Sequence, residues 1–406
     1  MLRKIPLPVQ LFFVIGFVMF FGNYVPEFLA RFFYTFSLLF KSFLMNFLPF
    51  MLFAFIFTGI LSFRKSATSV LFILLGVIFL SNITIVLLSY ISGRLLLPSL
   101  LPAFLEGMAA QQVGAPRYLA PLFSVNLDSV SDVMPSFLST LYNYLSLENV
   151  LIFSIVLGVL FSFFSLPRFE SVMHKFKGVV EKILRYGFVP LLPLYVFGFL
   201  LKIQYEGNFS ALFQHYGKAF LLIFGIQAIY LSFFYFFAER FSFRRGWQAI
   251  KNAFPSYMTA FSTMSSMVTL PISIESAEQN TGSRPLAEMA MPIMANLHFV
   301  GIATNGPILA LTTTMLFWGI VPSFTQYFFF ALYLCYTMIA ISGVPGSGIF
   351  LMIPLLKSQF GFTPEMISVV TALYLLIESF GTAANVFGDG ALVIIVNRII
   401  KRLKLA

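Results

Sequence analysis

Long apolar runs of about the length a helix needs to cross hydrocarbon, roughly 20 residues, alternate with short polar interruptions along this chain. PVQLFFVIGFVMFFGNYV, SVLFILLGVIFLSNITIVLLSYI and GKAFLLIFGIQAIYLSFFYFF are examples. Strands of a membrane barrel would instead be about ten residues of alternating polarity, so the pattern predicts helices. Eight spans are expected, near residues 6–24, 36–63, 69–92, 147–166, 178–203, 216–238, 288–318 and 364–397. Two further stretches, 250–280 and 330–361, are interrupted at the middle by small polar residues and proline. Proline and glycine at that density stop a helix, so each reads as two half-helices meeting at a tip, entering and leaving on one side. Each is followed by a span with polar breaks, MPIMANLHFVGIATNGPI after the first and ESFGTAANVFGDG after the second. The expected fold is an all-α polytopic membrane protein with eight transmembrane helices plus two re-entrant helical hairpins, laid out as inverted repeats. Residues 93–146 are less apolar and are expected to form an external loop with short helical pieces.

Composition agrees with a bilayer. Hydrophobic residues make up 59% of the 406 and charged ones only 10%, against roughly 25% charged in soluble domains. The net charge of +10 does not point to nucleic acid, because the basic residues gather in short tracts at span ends: Arg3/Lys4, Arg64/Lys65, Lys175 to Arg185, Arg240 to Lys251 and RIIKRLK. With both termini in the cytoplasm, the loops on that side hold roughly 18 of the 25 Lys and Arg residues. The expected location is the plasma membrane, in a bacterium the inner membrane. MLRKIPLPVQ has the charge of a signal-peptide start, but no small-residue cleavage site closes the run that follows, so a retained first helix is expected. Cys335 alone cannot form an intramolecular disulfide or a multi-thiolate metal site, and His174, His215 and His298 are scattered. No organic cofactor is expected. Neither is an enzyme, since no Ser/His or Cys/His pairing is placed for catalysis and Glu378 and Asp389 lie about 16 Å apart along a helix.

Chemistry concentrates in ESFGTAANVFGDG. Glu378, Thr382, Asn385 and Asp389 are spaced by four, three and four residues, so they share one stripe of a helix with Gly381 beside them. A charge at the bilayer centre costs at least about 2.5–3.5 kcal/mol, so two on one stripe must face protein, a solute or an ion path. The stripe is either a structural seam satisfied by neighbouring helices or a binding surface. In the second case Asp389 supplies hard oxygen, Asn385 a carbonyl or amide, and Glu378 a partner for an ammonium group or a proton. Ser265 and Ser266 sit before Thr269-Leu270-Pro271 at the first tip, as a simple turn or as amides and hydroxyls for a carboxylate. SGVPGSG is likewise a flexible turn or a lid whose backbone approaches a ligand.

These motifs resemble the glutamate transporter family, the dicarboxylate and amino acid:cation symporters. That family carries TRSSSGTLP at its first hairpin tip, NMDGT in its seventh helix, GVPG in its second hairpin and NVTGD in its eighth helix. Here TMSSMVTLP, NLHFV, GVPGSG and NVFGD follow in the same order at similar spacing, and the likeness extends to LENVLIFSIVLGVLF in the fourth span. The resemblance implies a homotrimer in which a hairpin-bearing transport domain moves like an elevator against a scaffold. Residues 1–63 and 93–210 would hold the scaffold helices and external loop, and residues 64–92 and 211–406 the transport domain. Substrate would be held by Ser265, Ser266, Val344, Gly348, Glu378, Gly381, Thr382 and Asn385. Asn296, the main chain at Ile341, Asn385 and Asp389 would bind sodium.

Departures from the family pattern shape the expected substrate. Acidic amino acid and dicarboxylate carriers have an arginine four residues before the Asn of NVTGD, where this chain has Gly381. Without that guanidinium a neutral substrate is favoured. The acid at the amino-group position is Glu378 rather than aspartate, one methylene longer. The aspartate of NMDGT is His298 here, which alters the third-ion site that Ser81 and Asn82 would complete, or makes it a proton site. The expected activity is therefore Na+-coupled symport of a small, neutral amino acid. The alternatives are a carrier of a small organic acid or dicarboxylate, H+-coupled or weakly coupled, and, from another class, a channel.

Overall fold

The computed structural model describes residues 7–62, 69–101, 119–123, 147–162, 164, 167–207, 209–338, 341 and 346–403. Among them every regular element is helical. Among the described residues, five helical stretches are long and apolar enough to cross a membrane: Phe72–Leu100, Arg168–Tyr205, Gln214–Ala238, Arg284–Trp318 and Met366–Arg402. The chain divides into two compact units.

The first unit comprises Met1–Ser62, Leu101–Gly217 and Leu356–Leu376. It contains α1 (Leu7–Phe21), α2 (Glu27–Ser62) and the start of the last helix of the chain. Helix α3 itself (Ser69–Leu100) lies in the second unit, while α4 (Leu147–Ser162), α5 (Pro167–Ile183) and α6 (Val189–Tyr205) belong to the first. A π-helical turn, Leu184–Phe188, joins α5 to α6. Helix α2 packs on α4, α5 and α6. Its contact with α6 is close because Gly198 has no side chain: a Cβ there would overlap the Phe33 carbonyl oxygen and the Ser37 hydroxyl. Ser37 Oγ donates to the Tyr195 carbonyl at 2.8 Å, tying the two helices where their backbones approach. Phe43 stacks on Phe188 at 5.2 Å. On α1 the rings of Phe12, Phe13 and Phe20 are exposed, an apolar face of the kind that meets lipid chains.

The second unit comprises Phe63–Leu100, Lys218–Leu355 and Ile377–Ala406. Helix α3 runs on to Leu100 rather than ending near residue 92. Helix α7 (Phe209–Ala238) exposes Leu221, Ile229 and Phe233. Helices α8 (Phe243–Thr263) and α9 (Ser266–Thr281) pack against each other across a turn of only Met264 and Ser265. Met264 takes the left-handed conformation (φ 52°), which costs a non-glycine residue roughly 1–2 kcal/mol, and Ser265 then caps α9. Helix α10 (Arg284–Leu297) packs on α9 and stops at His298. The chain resumes as α11 (Val300–Trp318), which lies against α3. Helices α12 (Phe324–Thr337) and α13 (Ser347–Phe360) flank the GVPG segment, of which Val344 lies outside the described residues. Helix α14 (Pro364–Arg402) passes unbroken through ESFGTAANVFGDG, because polar groups at helical spacing need not interrupt a helix. From Glu378 to Val396 every residue is buried except Phe380, Thr382 and Ile395, which are half-buried. Ala260 of α8 packs against Ala383 and Val386 of α14, small residues that let the two helices approach.

The α2/α6 contact predicts that Gly198→Ala forces the helices apart and costs about 1–3 kcal/mol, the range for overpacking. Thermal unfolding of the purified protein in detergent should show a lower midpoint for Gly198→Ala and little change for Gly178→Ala, where an added Cβ meets nothing within 4 Å.

Candidate functional site

The site is built on a break in a helix. Between α10 and α11 the backbone unwinds at His298 (φ −103°, ψ 109°) and Phe299 (φ −129°, ψ 67°). Amide and carbonyl groups freed in an apolar interior must find partners, and Asn82 of α3 supplies them. Its Nδ2 donates to the Leu297 carbonyl at 2.8 Å, and its Oδ1 accepts from the Phe299 N–H at 3.0 Å. One side-chain amide thus spans the break as a backbone segment would.

The unwound geometry turns His298 toward α14. His298 Nδ1 lies 2.9 Å from Asp389 Oδ1, and Nε2 lies 2.8 Å from Ser81 Oγ, which is 3.0 Å from the Tyr230 hydroxyl. His298 is fully buried and Asp389 is 1% exposed, so each is the other's main polar surrounding. The chain Tyr230–Ser81–His298–Asp389 draws one member from each of α7, α3, the α10/α11 break and α14. Both hydroxyls can donate or accept, so the chain closes with the imidazole neutral or protonated by rotation of two O–H bonds. Asn385 is also engaged: its Oδ1 accepts from the Gly301 N–H at 2.7 Å.

Farther along the stripe, Glu378 Oε1 accepts from the Gly346 N–H at 2.6 Å, joining α14 to the second tip. Among the described residues Glu378 Oε2 is buried without a hydrogen-bond partner, and no cationic side chain forms an ion pair with Glu378. Gly381 follows. Its backbone touches that of Gly301, where a Cβ would overlap the Gly381 carbonyl oxygen. Phe380 packs on Phe224 and Phe261, and Phe387 on Tyr235 and Tyr257.

Other sequence-derived candidates are placed less tightly. Ser265 Oγ accepts from the Val268 N–H at 3.3 Å, and Ser265's carbonyl accepts from the Thr269 hydroxyl at 2.8 Å, so its described bonds are local to the tip. Ser266 and Gly348 are buried in the first turns of α9 and α13, and Thr382 is half-buried. Asn296 is half-buried, donating to the Pro292 carbonyl at 2.8 Å and reaching Met267 Sδ at 3.8 Å. Ile341 is buried and its N–H donates to the Met338 carbonyl at 3.2 Å. Among the described residues no three His, Cys, Asp or Glu side chains converge as a transition-metal site requires.

Four polar residues at the site were not singled out by sequence reasoning. Tyr230 belongs to the relay, and Gln227 of α7 donates through Nε2 to Thr304 Oγ1 at 2.7 Å and to Asn305 Oδ1 at 2.8 Å. Their signal was present as single polar residues inside the apolar runs GKAFLLIFGIQAIYLSFFYFF and FVGIATNGPI.

Comparison with known proteins adds the family. The profile described as "Sodium:dicarboxylate symporter family" matches residues 7–399. The chain is 28% identical over 165 residues to "Excitatory amino acid transporter 2" of Homo sapiens, covering 40% of this chain and 27% of that protein. Against "Excitatory amino acid transporter 1" of Homo sapiens it is 24% identical over 223 residues, 54% of this chain and 40% of the other. Against "Excitatory amino acid transporter" of Caenorhabditis elegans it is 28% identical over 141 residues, 34% and 28% of the two. In each case the match spans less than half of the relative's length.

Asn82 gives the prediction. Asn82→Leu strips partners from one buried carbonyl and one buried N–H and should cost roughly 2–3 kcal/mol. Thermal unfolding in detergent should fall by several degrees for Asn82→Leu and barely for Thr84→Val, whose exposed hydroxyl bonds only its own helix. Equal shifts would mean that Asn82 does not hold the break.

Proposed function

Because the chain belongs to the sodium:dicarboxylate symporter family, a family of membrane transporters rather than enzymes, we propose that it is a secondary active symporter of a small, neutral amino acid. In this reading eight spans and two re-entrant hairpins form a homotrimer in the plasma membrane, with both termini cytoplasmic. The hairpin-bearing part moves as an elevator.

The observation that carries the substrate reading is Glu378. A buried carboxylate with one oxygen held by Gly346 N–H and the other unpartnered is a poor structural ornament, since an unmet buried acceptor costs roughly 1–3 kcal/mol. An α-ammonium group supplies the missing donor and the countercharge. The extra methylene of glutamate lets one carboxylate reach the second tip and the ligand together. The substrate's carboxylate would be held at Ser265 and Ser266, on the free amides of the α9 N-terminus. Gly381 in place of a cationic side chain removes the partner that a second substrate carboxylate would need.

Sodium is the cosubstrate in this proposal, held by oxygens of Asn296, Asn385 and Asp389 and by the main chain at Ile341. A second reading is favoured by one observation. His298 bonds Asp389 and Ser81 at once, so a nitrogen group stands where alkali-ion sites use oxygen. In that reading Asp389 binds no metal and a proton gradient drives transport.

Uptake of labelled neutral and acidic amino acids and dicarboxylates into proteoliposomes, under imposed sodium or proton gradients, tests both. The expected result is sodium-driven uptake of a neutral amino acid, lost in Asp389→Ala and lowered roughly 30-fold or more in Glu378→Gln, as for a lost charge-assisted bond of about 2 kcal/mol. Uptake driven by protons and indifferent to sodium would install the second reading. Preference for dicarboxylates would overturn the substrate class.

A further inference from the structure

Besides Glu378 Oε2, a second buried polar atom of this unit lacks a partner. Asn305 of α11 is fully buried. Its Oδ1 accepts from Gln227 Nε2 at 2.8 Å, and Gln227 Nε2 also donates to Thr304 Oγ1 at 2.7 Å. The Thr304 hydroxyl gives its one proton to the Val300 and Gly301 carbonyls, at 2.9 and 3.0 Å, so Gln227 turns its NH2 toward Thr304 and Asn305, and Asn305 meets it with Oδ1. The Nδ2 end then points away from Gln227 and meets no acceptor.

Where Nδ2 points is set by Gly381. A Cβ on Gly381 would lie 2.7 Å from Asn305 Nδ2, so this donor fills the space in which any side chain at position 381 would begin. Gly381 stands three residues after Glu378 on α14, about 4.5 Å along the axis. An unmet acceptor and an unmet donor therefore flank one short stretch of the same stripe.

We infer that Asn305 is a specificity-determining residue, whose Nδ2 takes a neutral oxygen acceptor at the end of the substrate's side chain. The transported amino acid then carries a hydroxyl or carboxamide rather than a plain hydrocarbon. The inference rests on the amino acid reading proposed above and deepens it. A purely apolar side chain leaves Nδ2 unmet, which is the situation in which buried polar groups discriminate strongly. A terminal carboxylate gains the same bond but brings a charge for which the described residues around Gly381 supply no cation.

Isosteric pairs test this in proteoliposomes carrying the full chain. Threonine against valine, and asparagine against leucine, are compared as competitors of labelled alanine uptake. For wild type the oxygen-bearing member should compete about tenfold better, the ratio that one hydrogen bond of about 1.4 kcal/mol gives. In Asn305→Ser, which retains an acceptor for Gln227 but is too short to reach, and in Gly381→Ala, whose methyl displaces Nδ2, the ratio should fall to within about twofold. Because each ratio is taken within one variant, it does not depend on how much protein is active. If Asn305→Ser does not fold, the wild-type ratio and Gly381→Ala decide. Alanine uptake without discrimination in wild type, or discrimination that survives the variants, would overturn the role of Asn305 alone. Absence of any amino acid uptake would overturn the amino acid reading and this inference with it.

Discussion

A carboxylate placed in an apolar bundle has to be answered by another group, and Asp389 sets that requirement for the second unit. His298 answers it, and can do so only because the helix is broken at that residue. The break in turn stands only because Asn82 takes up the carbonyl of Leu297 and the N–H of Phe299. Removing any one of these leaves the others costly, since each missing bond in such surroundings exposes an unmet dipole or charge. The relay from Asp389 to Tyr230 is hydrogen-bonded at every described step.

Against that relay, Glu378 Oε2 and Asn305 Nδ2 are left open near Gly381. Asn385 and Asp389 are engaged by Gly301 and His298, whereas the Glu378 end keeps an unmet oxygen. Glu378 also bonds Gly346 at the second tip, so an ammonium arriving at Oε2 acts on a carboxylate that already holds that tip. In the proposed amino acid reading, binding and the second tip are thereby linked through a single side chain.

The helical class and the polar stripe were legible in the sequence because both depend on spacing along one strand of chain. Apolar runs announce spans, and the four-three-four spacing of Glu378, Thr382, Asn385 and Asp389 announces one face. Boundaries were less legible. Helix α3 continues to Leu100, and α14 stays intact where polar residues are dense, while the real break falls at His298 and Phe299 amid apolar neighbours. That break depends on an asparagine more than 200 residues away, which local pattern cannot reveal. Gln227, Tyr230 and Asn305 were missed for the same reason: a lone polar residue in an apolar run gains meaning only from its partner on another helix.

The glycine at 381 changes more than one contact. The absence of a side chain at Gly301 lets the α11 and α14 backbones touch, since a Cβ there would overlap the Gly381 carbonyl oxygen, and its absence at Gly381 gives the Asn305 amide the volume it fills. A guanidinium-bearing side chain at position 381 would meet a donor it cannot pair with, and the Asn305 amide would have to move aside. Its carbons would start 2.7 Å from Asn305 Nδ2, well inside van der Waals contact. Any side chain at position 381 therefore has to be accommodated by the Asn305 amide on the facing helix, so the two positions act together.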